Sequence, residues 1–102
     1  MAIGSISGFR PTGTVVLNAG TTSANTPLSG GGESVVVTNP TTNLAFVRFG
    51  SDGTVNASTA DMPVLPASRV LLSINTLISY AAALMTSGSG SIYFTRGDGS
   101  FV

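Results

Sequence analysis

The sequence predicts an all-β fold, a single-domain antiparallel β-sandwich or jelly-roll-like barrel with an extended N-terminal arm. β-Branched and aromatic residues dominate the apolar runs, which favours strands. Thirteen Gly and five Pro divide the 102 residues into segments that are short for helices. Short strands at this spacing are typical of β-sandwiches, jelly rolls and small barrels. Since no linker divides the chain, we expect an arm at residues 1–13 and a β-sandwich domain at residues 14–102.

The first half of the chain predicts four strands. They are residues 14–18 (TVVLN), 33–39 (ESVVVTN), 43–49 (NLAFVRF) and 54–58 (TVNAS). The turn formers of residues 21–32 predict a flexible loop between the first two strands. The Asp52-Gly53 pair predicts the turn of a hairpin between the third and fourth strands, because Asp-Gly suits tight hairpin turns.

The second half predicts an edge segment, a strand and a hairpin. Pro63 and Pro66 cannot donate to a ladder, so residues 62–65 are expected at a sheet edge or in an extended crossing. A strand follows at residues 69–74. Residues 78–97 predict a hairpin with a Gly-Ser tip, in which one face of the first arm carries Ile78, Tyr80, Ala82 and Leu84. The competing prediction is a helix over residues 74–85, since Ala and Leu favour helices.

The composition indicates a neutral surface. Charged residues make up 8% of the chain, and the four Arg balance the four acids. Ser, Thr, Asn and Gly supply the polarity, so little charge repulsion keeps copies of the protein apart. This pattern favours a protein whose surface is covered by partners over an ordinary soluble domain.

The same counts argue against several classes of protein. The scattered arginines Arg10, Arg48, Arg69 and Arg96 do not form the basic cluster that nucleic-acid binding needs. No apolar run has the length of a membrane-spanning helix, and the first residues lack the pattern of a signal peptide. There is no Cys, so stability is expected from packing or assembly and not from disulfides.

Catalysis is not expected, because the chain has no His, Cys or Lys to serve as a base for a Ser nucleophile. The remaining acid-base candidates are the carboxylates Glu33, Asp52, Asp61 and Asp98. Most of them stand in predicted turns, which does not favour a glycosidase-type pair. We therefore expect no catalytic residue, cofactor or metal ion, although a calcium ion at Asp52 or Asp61 with backbone carbonyls stays open.

Three short motifs have simpler explanations than function. Residues 29–34 (SGGGES) lack the Lys of a phosphate-binding loop and precede a strand. Residues 96–98 (RGD) match a cell-adhesion tripeptide, but the following Gly predicts a turn. Residues 63–66 (PVLP) predict a stiff crossover more than a polyproline ligand. The Tyr and Phe residues are expected in the core or at a subunit interface.

Residues 35–72 (VVVTNPTTNLAFVRFGSDGTVNASTADMPVLPASRVLL) resemble a segment of small virion structural proteins of tailed bacteriophages. The likeness comprises a β-run ending in Thr-Asn, then Ala-Phe-Val-Arg-Phe-Gly, then Asp-x-Pro-Val-x-Pro and a further β-run. The closing AAALMTSGSGSIYFTRGDG is also similar. The chain departs from the family pattern at residues 65–68 (LPAS), where a Gly is expected in the turn.

The resemblance implies a capsid decoration or cement protein that binds the major capsid protein and its own copies on the capsid surface, as a trimer or dimer. In such proteins an N-terminal arm reaches over neighbouring subunits. The residues expected to bind partners are Ile3, Ile6, Phe9 and Arg10 in the arm, and the outward-pointing Arg48. A neck, tail or fibre-associated module is the first alternative. A carbohydrate- or ligand-binding β-sandwich is the second, although the chain has no Trp.

Overall fold

The structure, a computed structural model, describes residues 9–74 and 77–98, and all regular elements in these ranges are β-strands. The strands are β1 (Arg10–Ala19), β2 (Ala24–Pro27), β3 (Ser34–Asn39), β4 (Ala45–Gly50), β5 (Met62–Val64), β6 (Ser68–Ser73), β7 (Tyr80–Met85) and β8 (Gly90–Asp98). Across these ranges, no helix has the length and apolar character needed to cross a membrane.

The strands form two four-stranded sheets. Sheet A has the order β1-β8-β3-β6, and sheet B has the order β2-β7-β4-β5. Neighbouring strands are antiparallel in both sheets. The predicted all-β antiparallel sandwich is therefore confirmed for the described residues.

The core lies between the two sheets and is built from alternate positions of the strands. Sheet A contributes Val35, Val37 and Phe94, and sheet B contributes Met85, each at most 1% exposed. Phe49 of sheet B meets Phe94 edge to face, with ring centroids 6.0 Å apart and planes at 86°. β-Branched and aromatic side chains pack well on pleated sheets, which is why these runs form strands.

Several predicted strands are confirmed within a few residues. Residues 14–18 lie in β1, residues 33–39 contain β3, and residues 43–49 overlap β4. The segment with two prolines lies at the edge of sheet B, where β5 places Pro63 opposite Phe46. Proline is tolerated there because the outer side of an edge strand needs no donor.

The predicted loop at residues 21–32 was wrong in part, since it contains β2. This strand pairs with β7, and Asn25 lies opposite Ala82. The Asn25 side chain also donates to the backbone oxygens of Gly53 and Val55, at 2.9 and 3.2 Å. Turn-forming residues become a strand here because the neighbouring strand supplies a ladder.

The predicted strand at residues 54–58 was wrong, and so was its hairpin with residues 45–49. These residues form a loop, while β4 pairs with β5 and β7. Asp52 accepts hydrogen bonds from the backbone N and the Oγ1 of Thr54, at 3.0 and 2.5 Å. This local turn competes with extended structure, because the Asp52 carboxylate gives a backbone N–H a hydrogen-bond acceptor that would otherwise come from a neighbouring strand.

The predicted hairpin at residues 78–97 was also wrong, because β7 and β8 belong to different sheets. β7 lies between β2 and β4, whereas β8 lies between β1 and β3. The chain crosses between the sheets near Gly88, whose φ of 68° suits glycine. The core-facing side chains of β7 are Ala81, Ala83 and Met85, so Tyr80, Ala82 and Leu84 share the opposite face, as the predicted alternation has it. Residues 77–85 form a turn and a strand, so the helix alternative is not adopted there.

The predicted arm at residues 1–13 overlaps the start of sheet A. β1 begins at Arg10, which lies opposite Asp98, so residues 10–13 belong to the sheet. The register shifts between Pro11 and Gly13, which accommodates the proline at this end of the strand. Residues 1–8, including Ile3 and Ile6, lie outside the described residues.

Candidate interaction surface

The side of sheet A that faces away from the core, here called the outer face, combines apolar and hydroxyl side chains. The strand register arranges it in two rows, Val16-Tyr93-Thr38-Arg69 and Thr14-Thr95-Val36-Leu71. Side chains directly opposite on antiparallel strands lie about 5 Å apart at Cβ. The two rows therefore form a continuous surface across all four strands.

The first row exposes apolar surface at its β1 end. Val16 is 51% exposed and Tyr93, directly opposite, is 38% exposed. Single exposed apolar side chains are common, but adjacent ones form a patch whose burial against a partner is energetically favourable. Tyr93 also carries a hydroxyl group, so its ring can pack on an apolar surface of a partner while the hydroxyl bonds to water or to a polar group.

The second row is less exposed and has no charge. The Thr14 and Thr95 hydroxyls are 3.0 Å apart and hydrogen-bonded to one another. Val36 is 6% exposed, and Leu71 is half-buried at the β6 edge. Arg69 is the one charged member of the two rows that define the outer face. A partner would be held there by buried area and short-range hydrogen bonds more than by long-range charge.

An open hollow of about 430 Å³ adjoins the outer face at the ends of β3 and β6. It is lined by Thr38, Asn39, Pro40, Ala67, Ser68 and Arg69. The Asn39 amide donates to the carbonyls of Asn43 and Val64, at 2.9 and 3.1 Å, and its oxygen accepts from Thr41. Because Asn39 is fully buried and its amide is bonded internally, Asn39 offers no free hydrogen-bonding group to the hollow.

Phe9 and Arg10, two of the predicted partner-binding residues, lie together at the start of sheet A. Phe9 is half-buried, and a Cβ atom on Gly97 would stand 2.9 Å from the Phe9 ring. Glycine at position 97 therefore allows the ring to approach the sheet. Arg10 is exposed and lies opposite Asp98. Phe9 is thus fixed by packing at Gly97, and the Arg10 backbone is fixed by pairing with Asp98.

Arg48 lies on sheet B, so the structure does not join it to Phe9 and Arg10 in one site. Its side chain is 59% exposed and points outward. A guanidinium nitrogen lies 3.5 Å from the Asp61 carboxylate, whose side chain is 15% exposed. An ion pair this exposed adds little stability, but it orients the guanidinium beside the loop at residues 51–61.

Three of the four candidate carboxylates, those of Asp52, Asp61 and Asp98, accept hydrogen bonds from backbone N–H groups. The Asp61 carboxylate accepts from the Ser58 N–H at 2.7 Å, and the Asp98 carboxylate accepts from the Glu33 N–H at 3.3 Å. Hydrogen bonds from the Thr54 hydroxyl and backbone hold the pKa of Asp52 below its ordinary value. Residues 9–74 and 77–98 contain no group of three or more His, Cys, Asp or Glu that could hold a metal ion.

The adhesion-like tripeptide at residues 96–98 is not displayed. Arg96 is 5% exposed, and its Nε and Nη1 donate to the carbonyls of Gly32 and Ile78, at 3.1 and 2.6 Å. A receptor that recognises this tripeptide needs an accessible guanidinium. The alternation of β8 instead turns Arg96 toward the inside of the sandwich, as it does Phe94.

Sequence reasoning missed the outer face. Val16 stands in an uninterrupted apolar run, and Tyr93 stands in another, so no alternation marks which side chains point outward. The register of sheet A decides that. The low charge of the chain predicted that some surface is covered by a partner, but it did not indicate which strands carry that surface.

Comparison with known proteins identifies no relative of this chain: no protein-family model, curated protein or solved structure matches it.

Proposed function

We propose that this protein is a non-enzymatic structural component of a bacteriophage virion, a decoration or cement protein that binds the major capsid protein on the capsid surface. The observation that carries the proposal is the outer face of sheet A. There Val16 and Tyr93 are exposed side by side among hydroxyl groups, with almost no charge. A modest surface of this kind binds strongly when many copies engage a repeating shell.

The finer architecture proposed is a jelly roll. Its support is the strand order, in which sheet A takes β1, β8, β3 and β6 and sheet B takes the other four. Double-sheet, eight-stranded sandwiches of this kind recur in viral capsid domains. The fold alone does not assign a function, so the proposal depends on the outer face and on the resemblance of residues 35–72 to virion proteins.

A second contact to the capsid is proposed for the N-terminal segment that carries Ile3 and Ile6. Phe9 supports this idea, because its contact with Gly97 anchors the end of the segment at sheet A. Arg10 is exposed beside it and supplies a charge at the same end. The segment would add apolar area to a contact begun by the outer face.

The test uses phage capsids that lack the protein and the purified chain. The Val16→Glu/Tyr93→Glu double variant is expected to weaken capsid binding more than tenfold, because two charges would be buried in an apolar contact. Leu65→Glu is the matched control, since Leu65 is 64% exposed but lies outside the outer face. Equal capsid occupancy by wild type and the double variant would refute the role of the outer face.

The N-terminal contact and the location in the particle need separate measurements. Deleting residues 1–8 should weaken capsid binding while leaving the unfolding transition of the domain in place. Full occupancy after the deletion would remove the N-terminal contact from the proposal. A particle map should show copies spread over the shell, whereas copies confined to the neck, tail or fibres would favour the first alternative.

A further inference from the structure

The side of sheet B that faces away from the core is covered along its middle. Ala82 of β7 lies between Asn25 of β2 and Arg48 of β4 in the register. Its neighbours Ala81 and Ala83 face the core, so the Ala82 side chain points outward, and yet Ala82 is 0% exposed. An outward-facing alanine in an uncovered sheet keeps part of its surface in water. Other groups therefore lie over this part of sheet B.

The loop at residues 51–61 supplies the cover. Gly50, at the end of β4, points outward by the alternation of its strand, and a Cβ atom there would stand 2.9 Å from the Val55 Cβ. A Cβ atom on Gly53 would stand 3.6 Å from the Tyr80 ring of β7. Ala57, in the same loop, is itself buried. The loop therefore packs across β4 and β7 on the outward side.

Polar side chains of neighbouring segments hold the loop in place. The Asn25 amide donates to two loop carbonyls, at 2.9 and 3.2 Å. The Ala57 N–H donates to the Ser23 hydroxyl at 2.8 Å, and the Ser79 hydroxyl donates to a further loop carbonyl at 2.9 Å. These bonds are exposed or half-buried, and hydrogen bonds that water can replace contribute modestly to stability.

The loop and the sandwich thus differ in what stabilises them. A buried apolar cluster holds the two sheets together, whereas Ala57 is the one buried residue of the loop at residues 51–61. The loop leaves β4 and returns in β5, its own ladder partner, where Met62 lies opposite Val47. It can therefore move without breaking a ladder. Segments with few buried apolar contacts and exposed hydrogen bonds open at a lower free energy than the whole domain unfolds.

We propose that the loop at residues 51–61 is a removable cover, which opens as a unit while the sandwich stays folded and uncovers a second surface on sheet B. Opening separates Arg48 from Asp61 and gives water access to Ala82 and to more of the Tyr80 ring. The inference concerns the free protein and does not rest on the proposed capsid partner.

Thiol labelling tests the opening directly, because the chain has no Cys of its own. The Ala82→Cys variant places a thiol beneath the loop, and the matched control Ala83→Cys places one in the core, since both alanines are fully buried. Under native conditions Ala82→Cys should be labelled at least about tenfold faster than Ala83→Cys, because its thiol needs only the loop to open. Equal labelling rates would mean that the cover opens only when the whole domain unfolds, and would overturn the proposal.

Removing the contacts of Asn25 tests what holds the cover. Asn25→Ala in the Ala82→Cys background should raise the labelling rate about tenfold, because two hydrogen bonds to the loop are lost. Asn18→Ala is the matched control, since the Asn18 side chain accepts from Ser91 on sheet A and should leave the rate unchanged. A labelling rate that does not respond to Asn25→Ala would contradict the assigned cover.

Amide exchange of the wild-type protein supplies a readout that needs no introduced thiol. The Ala57 amide should exchange through an opening whose free energy is well below that of urea unfolding. The Phe94 amide, at the centre of β8 with a paired strand on each side, should exchange only near the free energy of unfolding. Asn25→Ala should speed exchange at Ala57 and leave Phe94 as it is. Exchange at Ala57 as slow as at Phe94 would also overturn the proposal.

Discussion

At the scale of single residues, Ala67 stores backbone strain. Its φ is 54°, a left-handed conformation that costs a residue with a Cβ about 1 kcal/mol. The conformation persists because the Ala67 N–H donates to the Thr41 carbonyl at 3.0 Å. The resemblance to virion proteins led us to expect a Gly in residues 65–68, and the structure gives the physical reason for one there.

Ala67→Gly should therefore raise the free energy of unfolding by about 0.5 kcal/mol, because the entropy of the unfolded glycine offsets part of the strain that is relieved. Thermal unfolding should show a rise of about 2–4 °C. Ala60→Gly is the matched control, because Ala60 is an exposed turn residue without positive φ, and it should lower stability slightly. Equal effects of the two substitutions would argue against strain at Ala67.

Asp52 gives the loop at residues 51–61 a pH dependence. The Thr54 hydroxyl and N–H both donate to its carboxylate, which lowers the pKa of Asp52 from its ordinary value of 3.8. A lowered folded-state pKa adds stability that is fully present well above pH 3.8 and is lost as the pH falls through the folded value. Acid should therefore loosen this turn before it affects the core.

Thr54→Val removes the hydroxyl donor and should move the Asp52 pKa toward 3.8. The carboxyl carbon chemical shift of Asp52, followed by NMR across an acid titration, measures this directly. Thr14→Val, on the outer face, provides a control that changes a Thr distant in sequence from the loop. An Asp52 titration that is identical in wild type and Thr54→Val would contradict the assigned hydrogen bond.

At the scale of elements, the Arg96 side chain links strand β8 to two loops by hydrogen bonds. It donates to the Gly32 carbonyl before β3 and to the Ile78 carbonyl before β7. The Thr12 hydroxyl of β1 donates to the Arg96 carbonyl at 3.1 Å. One buried guanidinium therefore joins segments far apart in sequence. Charged hydrogen bonds in a buried setting contribute more than neutral ones.

Arg96→Met should lower the free energy of unfolding by about 3 kcal/mol, because it leaves two partly buried carbonyls without their charged donor while keeping most of the side-chain volume. Urea unfolding measures the change. Arg48→Met, the same substitution at an exposed ion pair, should cost less than about 1 kcal/mol. Comparable losses for the two variants would mean that burial of Arg96 does not set its contribution.

At the scale of the whole molecule, the proposed contact with the capsid is the outer face of sheet A, where Val16 and Tyr93 are exposed. Many copies on a repeating shell would gain from multivalency, so a modest contact for each copy would be enough. The low net charge of the chain would let neighbouring copies approach closely.

The sequence by itself determined the all-β class, the edge position of the proline segment and most strands of the first sheet, because β-branched runs, prolines and turn formers act locally. It could not determine that β2 forms from turn residues, that β7 and β8 lie in different sheets, or that Val16 and Tyr93 point outward. These features depend on which strands become neighbours. Pairing between distant segments sets the register, and the register alone decides which side chains of an unbroken apolar run are left for a partner.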